Sequence, residues 1–151
     1  MADNDGVAPP TQLRDLAQWQ VSKISNLGAR LTAALMPLQR RADFAILSAL
    51  SEFGQLSQAE LGRRLVLDRN DVNEIVNRLA DADFVDRRKD PSDRRRNVIT
   101  ITEAGEGELA VLVLHAQAVQ NELLQALNEQ ERAQRRTLLS KVLAGHAPQP
   151  A

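Results

Sequence analysis

The chain has 151 residues, 43% of them hydrophobic, and a formal net charge of −1. That is enough apolar material for one sizeable core, while the near-neutral balance provides no global basic field to announce nucleic acid. Cysteine is absent, which excludes disulfides, thiol nucleophiles and cysteine-based redox sensing. No apolar run approaches the ~20 residues of a membrane span and the N-terminus has no signal-peptide core. The expectation is a cytoplasmic protein without membrane contact.

Residues 1–10 are polar, acidic and proline-containing, and predict a disordered tail. From Thr11 to Met36, Leu13, Leu16, Trp19 or Gln20, Ile24, Leu27, Leu31 and Leu35 keep near-heptad spacing, which predicts one long amphipathic helix ended or kinked at Pro37. A second helix is expected over residues 41–53, with Phe44, Leu47 and Leu50 inward and Gly54 at its C′ position. Gln55-Leu56 suits a minor strand.

Ser57-Gln58-Ala59-Glu60 is a capping box, so a short helix starts there, with Ala59, Leu61 and Leu65 available to pack inward. Only Val66-Leu67-Asp68 separates it from the next helix, the spacing of a helix-turn-helix, although the usual turn glycine is missing. Asp68 is a good N-cap and Asp71 places negative charge at the positive end of the helix dipole. Val72, Ile75, Val76 and Leu79 then recur as one buried face. The opposite face carries Arg69, Asn70, Asn73, Glu74 and Asn77. Asparagine can bond adenine edges, glutamate can accept from cytosine N4, and arginine can reach guanine or phosphate.

Phe84-Val85 and Val98 to Thr102 are β-rich runs. The ten residues from Arg87 to Arg96 between them hold six basic and two acidic side chains, a local net of +4, with a turn at Pro91-Ser92. A six-cation hairpin tip suits phosphate contacts or an arginine in a narrow minor groove.

The run from Asp90 to Gly105 resembles the wing of the multiple-antibiotic-resistance regulator (MarR) family. Asp93 and Arg95 match its Asp-x-Arg motif; Ile101, Thr102 and Gly105 match its Leu-Thr-x-x-Gly end, with Ile for Leu. The resemblance covers about residues 11–144. It departs at Asn73-Glu74, where members often carry a small or hydroxyl residue followed by Arg, and at Asp83, where members usually have Gly.

After the wing, Thr102 can cap a long helix striped by Leu109, Leu112, Val113, Ala116, Val119, Leu123, Leu124 and Leu127. Asn128-x-x-Glu131 restarts a helix carrying Leu138, Leu139, Val142 and Leu143 that stops at Gly145, and residues 145–151 should fray. From Glu103 to Glu131 there are six Glu and no Lys or Arg, so basic character is confined to the wing lobe. Two long apolar stripes at opposite ends of the chain exceed what a winged helix can cover. A symmetric dimer solves this, and sets two recognition helices about 34 Å apart on a pseudo-palindromic duplex; the alternative is an intramolecular helical bundle.

Enzyme constellations are missing: no phosphate-cradling Gly loop, no metal-spaced His/Cys set, no Ser-His-Asp arrangement, and no implied cofactor. Few aromatics argue against single-strand binding. The expected fold is mostly α with a small β-wing: one domain over 11–144, with dimerisation helices at 11–36 and 103–144 and a winged helix-turn-helix lobe at 41–102. The expected function is a sequence-specific duplex-DNA-binding regulator, a homodimeric repressor; the alternative is a winged helix used as a protein-interaction module. DNA contacts are assigned to Gln58, Arg69, Asn70, Asn73, Glu74, Asn77, Arg78, Arg88, Arg94, Arg95 and Arg96, with Asp93 orienting the wing by pairing with Arg95 or Arg78. The resemblance implies a small effector, often phenolic or aromatic, between the dimer and DNA-binding lobes. Trp19, Arg30, Met36, Phe44 and His115 are the candidates to line its site.

Overall fold

The computed structural model describes residues 8–94 and 97–146. In chain order the elements are α1 (Thr11–Arg14), α2 (Ala17–Leu35), α3 (Leu38–Phe53), α4 (Gln58–Leu65), α5 (Arg69–Asp81), β1 (Val85–Lys89), β2 (Asn97–Ile101), α6 (Glu103–Leu123) and α7 (Glu129–Gly145). The outer parts of the two expected tails, 1–7 and 147–151, lie outside the described residues.

The first expected helix is divided. Leu16 has extended backbone, ψ 125°, and becomes the N-cap of α2. The side-chain amide of Gln20 donates to the Arg14 carbonyl at 3.0 Å and satisfies the end of α1. Pro37 both ends α2 and starts α3: the residue before a proline is driven to extended backbone, and Met36 has ψ 106°. Proline's fixed φ then opens α3 at Leu38, three residues before the expected start. Gly54 closes α3 at φ 76°, a backbone state that favours glycine.

The core is built where α3, α4, α5, the hairpin and α6 meet. Ile46, Leu47 and Leu50 of α3, Leu61 of α4, Val72, Val76 and Leu79 of α5, Ile99 of β2 and Leu112 of α6 are essentially inaccessible. Burying aliphatic side chains of this size stabilises the fold by about 1.5–3 kcal/mol each. Ala59 of the capping box is exposed, while Leu61 and Leu65 point inward as expected.

The strands pair antiparallel, Val85 opposite Ile101 and Arg87 opposite Ile99. In place of the expected minor strand, Leu56 makes an isolated antiparallel bridge to Ile99, with reciprocal backbone bonds at 3.1 and 2.8 Å. α6 packs on α2 and α3, where Glu108 pairs with Arg40 and Glu106 accepts from Ser51 at 3.1 Å. α2 and α7 contain no buried residue, and Leu138, Leu139, Val142 and Leu143 stand open on α7.

Candidate nucleic-acid interface

Three local devices position α5. Its N-terminus is capped by Asp68, whose Oδ1 accepts from the Asp71 amide at 2.9 Å. The preceding turn is made by Val66 in the left-handed region (φ 55°, ψ 44°) and 90% exposed. A β-branched residue there is strained, and it occupies the place of the missing turn glycine. The C-terminus is closed by Asp83 at φ 60°, with the Phe84 amide reaching back to the Leu79 carbonyl at 2.9 Å.

The corner after the wing is locked to that C-terminus. Thr102 Oγ1 donates to the Asp83 carbonyl at 2.6 Å and accepts from the Gly105 amide at 3.0 Å. A Cβ on Gly105 would lie 2.1 Å from the Phe84 carbonyl oxygen. Thr102-x-x-Gly105 is therefore a backbone-to-backbone contact that admits no side chain, and this is the physical content of the motif end seen in the sequence.

On the open face of α5, Arg69, Asn70, Asn73, Glu74 and Asn77 are all exposed. Gln58 at the start of α4 donates to Asn73 Oδ1 at 3.3 Å, and Arg87 of β1 bonds to Asn77 Oδ1. Ser57, Gln58, Arg63, Leu67, Arg69 and Asn97 surround an open concavity of about 780 Å³ between α4, the turn and the start of β2. In the wing, Asp90 is buried and accepts from the amide and hydroxyl of Ser92 at 2.8 and 2.6 Å, fixing the turn before Arg94. Arg94 and Asp93 are exposed. Arg95 and Arg96, expected at the tip, lie outside the described residues.

Two of the arginines expected to contact DNA form ion pairs within the chain. Arg78 turns toward α3, donating to Asp43 at 2.5 Å and to the Gln39 carbonyl at 3.5 Å. Asp43 is 6% exposed, so the carboxylate needs this partner, and Arg78 ties α5 to the scaffold. Of the two partners expected for Asp93, Arg78 is thus bonded to Asp43 and Arg95 is outside the described residues. Arg88 pairs with Asp86 two residues before it at 2.9 Å, both side chains well exposed.

The candidate effector residues have differing surroundings. Met36 is buried in the core and Phe44 packs against it. Trp19 lies on α2 with Lys23 5.3 Å above its ring, Arg30 is exposed, and His115 is half-buried on α6. A cavity of about 480 Å³ does lie against the recognition helix, between α3 and α5. Among the described residues it is lined by Arg41, Ala42, Ala45, Leu67, Ile75 and Arg78, with Gln39, Leu65, Asp71 and Glu74 completing the wall. None of the five candidates lines it.

The sequence reading missed Arg87 and Asp90 as individual site residues. Asp90-Pro91-Ser92 carries a readable signal, an aspartate two residues before the amide it caps. Arg87 carries none, because its partner is ten residues away on another element.

Comparison with known proteins follows the same outline. The MarR family model matches residues 37–96. The transcriptional repressor NicR of Pseudomonas putida is 33% identical over 100 residues, covering 66% of this chain and 63% of that protein; the match thus spans less than two thirds of that relative. The reduced form of MarR from E. coli superposes with a TM-score of 0.69 at 26% identity, over 85% of this chain and 96% of that one. BpsR of Bordetella bronchiseptica, solved in a study of how 6-hydroxynicotinic acid regulates its DNA binding, gives 0.75 at 22% identity over 93% and 100%. The lobe over residues 37–96 thus matches the MarR family, and the chain has the winged-helix fold of the MarR structure that it resembles.

Proposed function

We propose that this chain is a sequence-specific, duplex-DNA-binding transcription regulator that acts as a homodimeric repressor. The observation that carries the reading is the open polar face of α5, with Asn73 and Asn77 held by neighbours beside a basic wing. A helix so capped on both ends and bonded to α3 through Arg78 presents base-reading groups at low entropic cost. The MarR family match over residues 37–96 and the likeness to NicR support it.

The dimer rests on α7 and α2. Leu139, Val142 and Leu143 are 43%, 59% and 72% exposed, a contiguous apolar face on one helix that a second copy would cover. Ligand control rests on the 480 Å³ cavity, since a small molecule there would touch Ile75 and Arg78 of the reading helix directly. In the same fold, BpsR is regulated by 6-hydroxynicotinic acid.

The test is a mobility shift on duplexes selected from a random pool, repeated over a salt series. Phosphate contacts impose a steep salt slope, and Arg94→Ala should lower it by about one per subunit contact while leaving the selected sequence unchanged. Binding without sequence selection, or none, would move the protein to the interaction-module reading.

A further inference from the structure

The amide of Asn77 is oriented by chemistry. Strand alternation from buried Val85 puts Arg87 on the same side of β1, the side packed on α5. There its guanidinium bonds to Asn77. Arginine has donors and no acceptor, so the atom facing it must be the amide oxygen, and Nδ2 must point away. Among the described residues Nδ2 has no hydrogen-bond partner, and Asn77 is exposed. One turn earlier on the same face, the carbonyl of Asn73 is engaged by Gln58.

This alters what the helix can read. The bidentate asparagine–adenine contact needs both amide ends, Nδ2 donating to N7 and Oδ1 accepting from the N6 amino group. With a guanidinium on Oδ1, an adenine amino group would meet a cation. Guanine presents two acceptors in the major groove, N7 and O6, and suits an Nδ2 donor flanked by arginine donors. We propose that Arg87 is a specificity-determining positioning residue, which holds Asn77 as a donor and selects guanine over adenine at the base pair under it. This rests on the DNA-binding reading above.

The experiment selects bound sequences from a random duplex pool with full-length wild type, Asn77→Ala, Arg87→Met and Arg87→Lys, at one fixed salt. Asn77→Ala should relax one base pair per half-site and so identify it. At that pair the wild type should prefer guanine. Arg87→Met, which keeps the stem and removes the donors, should shift the guanine-to-adenine ratio there by roughly tenfold toward adenine and leave the other positions unchanged. Arg87→Lys, which retains a donor, should keep guanine. Adenine at that pair in the wild type would overturn the proposal, as would an Arg87→Met variant that loses affinity on all sequences with the ratio unmoved, or an Asn77→Ala variant that relaxes nothing. If the wild type selects no sequence, the DNA-binding reading itself falls.

Discussion

The recognition helix and the last helix carry the same kind of apolar stripe and meet different fates. In α5, Val72, Ile75, Val76 and Leu79 are at most 7% exposed, each closed over by α3, α4, the hairpin or α6. In α7, no residue is buried and Val142 and Leu143 are more than half exposed. Periodicity announces that a face will be covered but not by what. The winged-helix lobe completes its core within one chain; among the described residues, the terminal helices leave an apolar surface uncovered.

The sharpest break of that contrast is a pair of charges on the open face of α7. Leu139→Asp combined with Val142→Asp adds carboxylates at exposed positions, so a monomer should tolerate them. In a dimer they would be buried unpaired at a cost of several kcal/mol, giving monomers by light scattering at micromolar concentration. A wild type that is already a folded monomer would refute the assignment of α7.

Gly105→Ala tests the closed lobe from within. Its Cβ would enter the Phe84 carbonyl, which is backbone and cannot rotate away. Destabilisation of about 3 kcal/mol is expected, at the upper end of overpacking costs, read as a lower midpoint in denaturant unfolding. A loss below 0.5 kcal/mol would show that the corner relaxes freely.

Val66→Gly should act in the opposite direction. Removing the side chain relieves a left-handed β-branched residue, against the entropic cost of a glycine, for a net gain of about 1 kcal/mol in thermal unfolding. No gain would mean that the turn holds little strain.

Side-chain caps were legible, although the break between α1 and α2 was not. Ser57/Glu60 and Asn128/Glu131 cap as reciprocal boxes, and Asp68 and Thr102 cap as single side chains. These bonds close within three or four residues, so spacing along the chain is the whole geometry. Pro37 and Gly54 punctuate for the same reason, through their own backbone limits. The wing was legible because its cations and turn residues are contiguous, but Arg87, Arg88 and Lys89, expected in its tip, are residues of β1 paired with β2.

What only the tertiary structure decided are the long-range partners of polar groups. Arg78 looked like one more cation on a DNA face until α3 brought a buried Asp43 beneath it, 35 residues away. Arg87 was one of six similar cations until strand pairing turned it onto Asn77. Met36 is buried in the core and Phe44 is partly buried against it, through contacts with elements distant in the chain. An apolar stripe needs only some apolar surface, whereas a carboxylate or an amide needs one donor at one distance, and that is specified by packing between elements far apart in the chain.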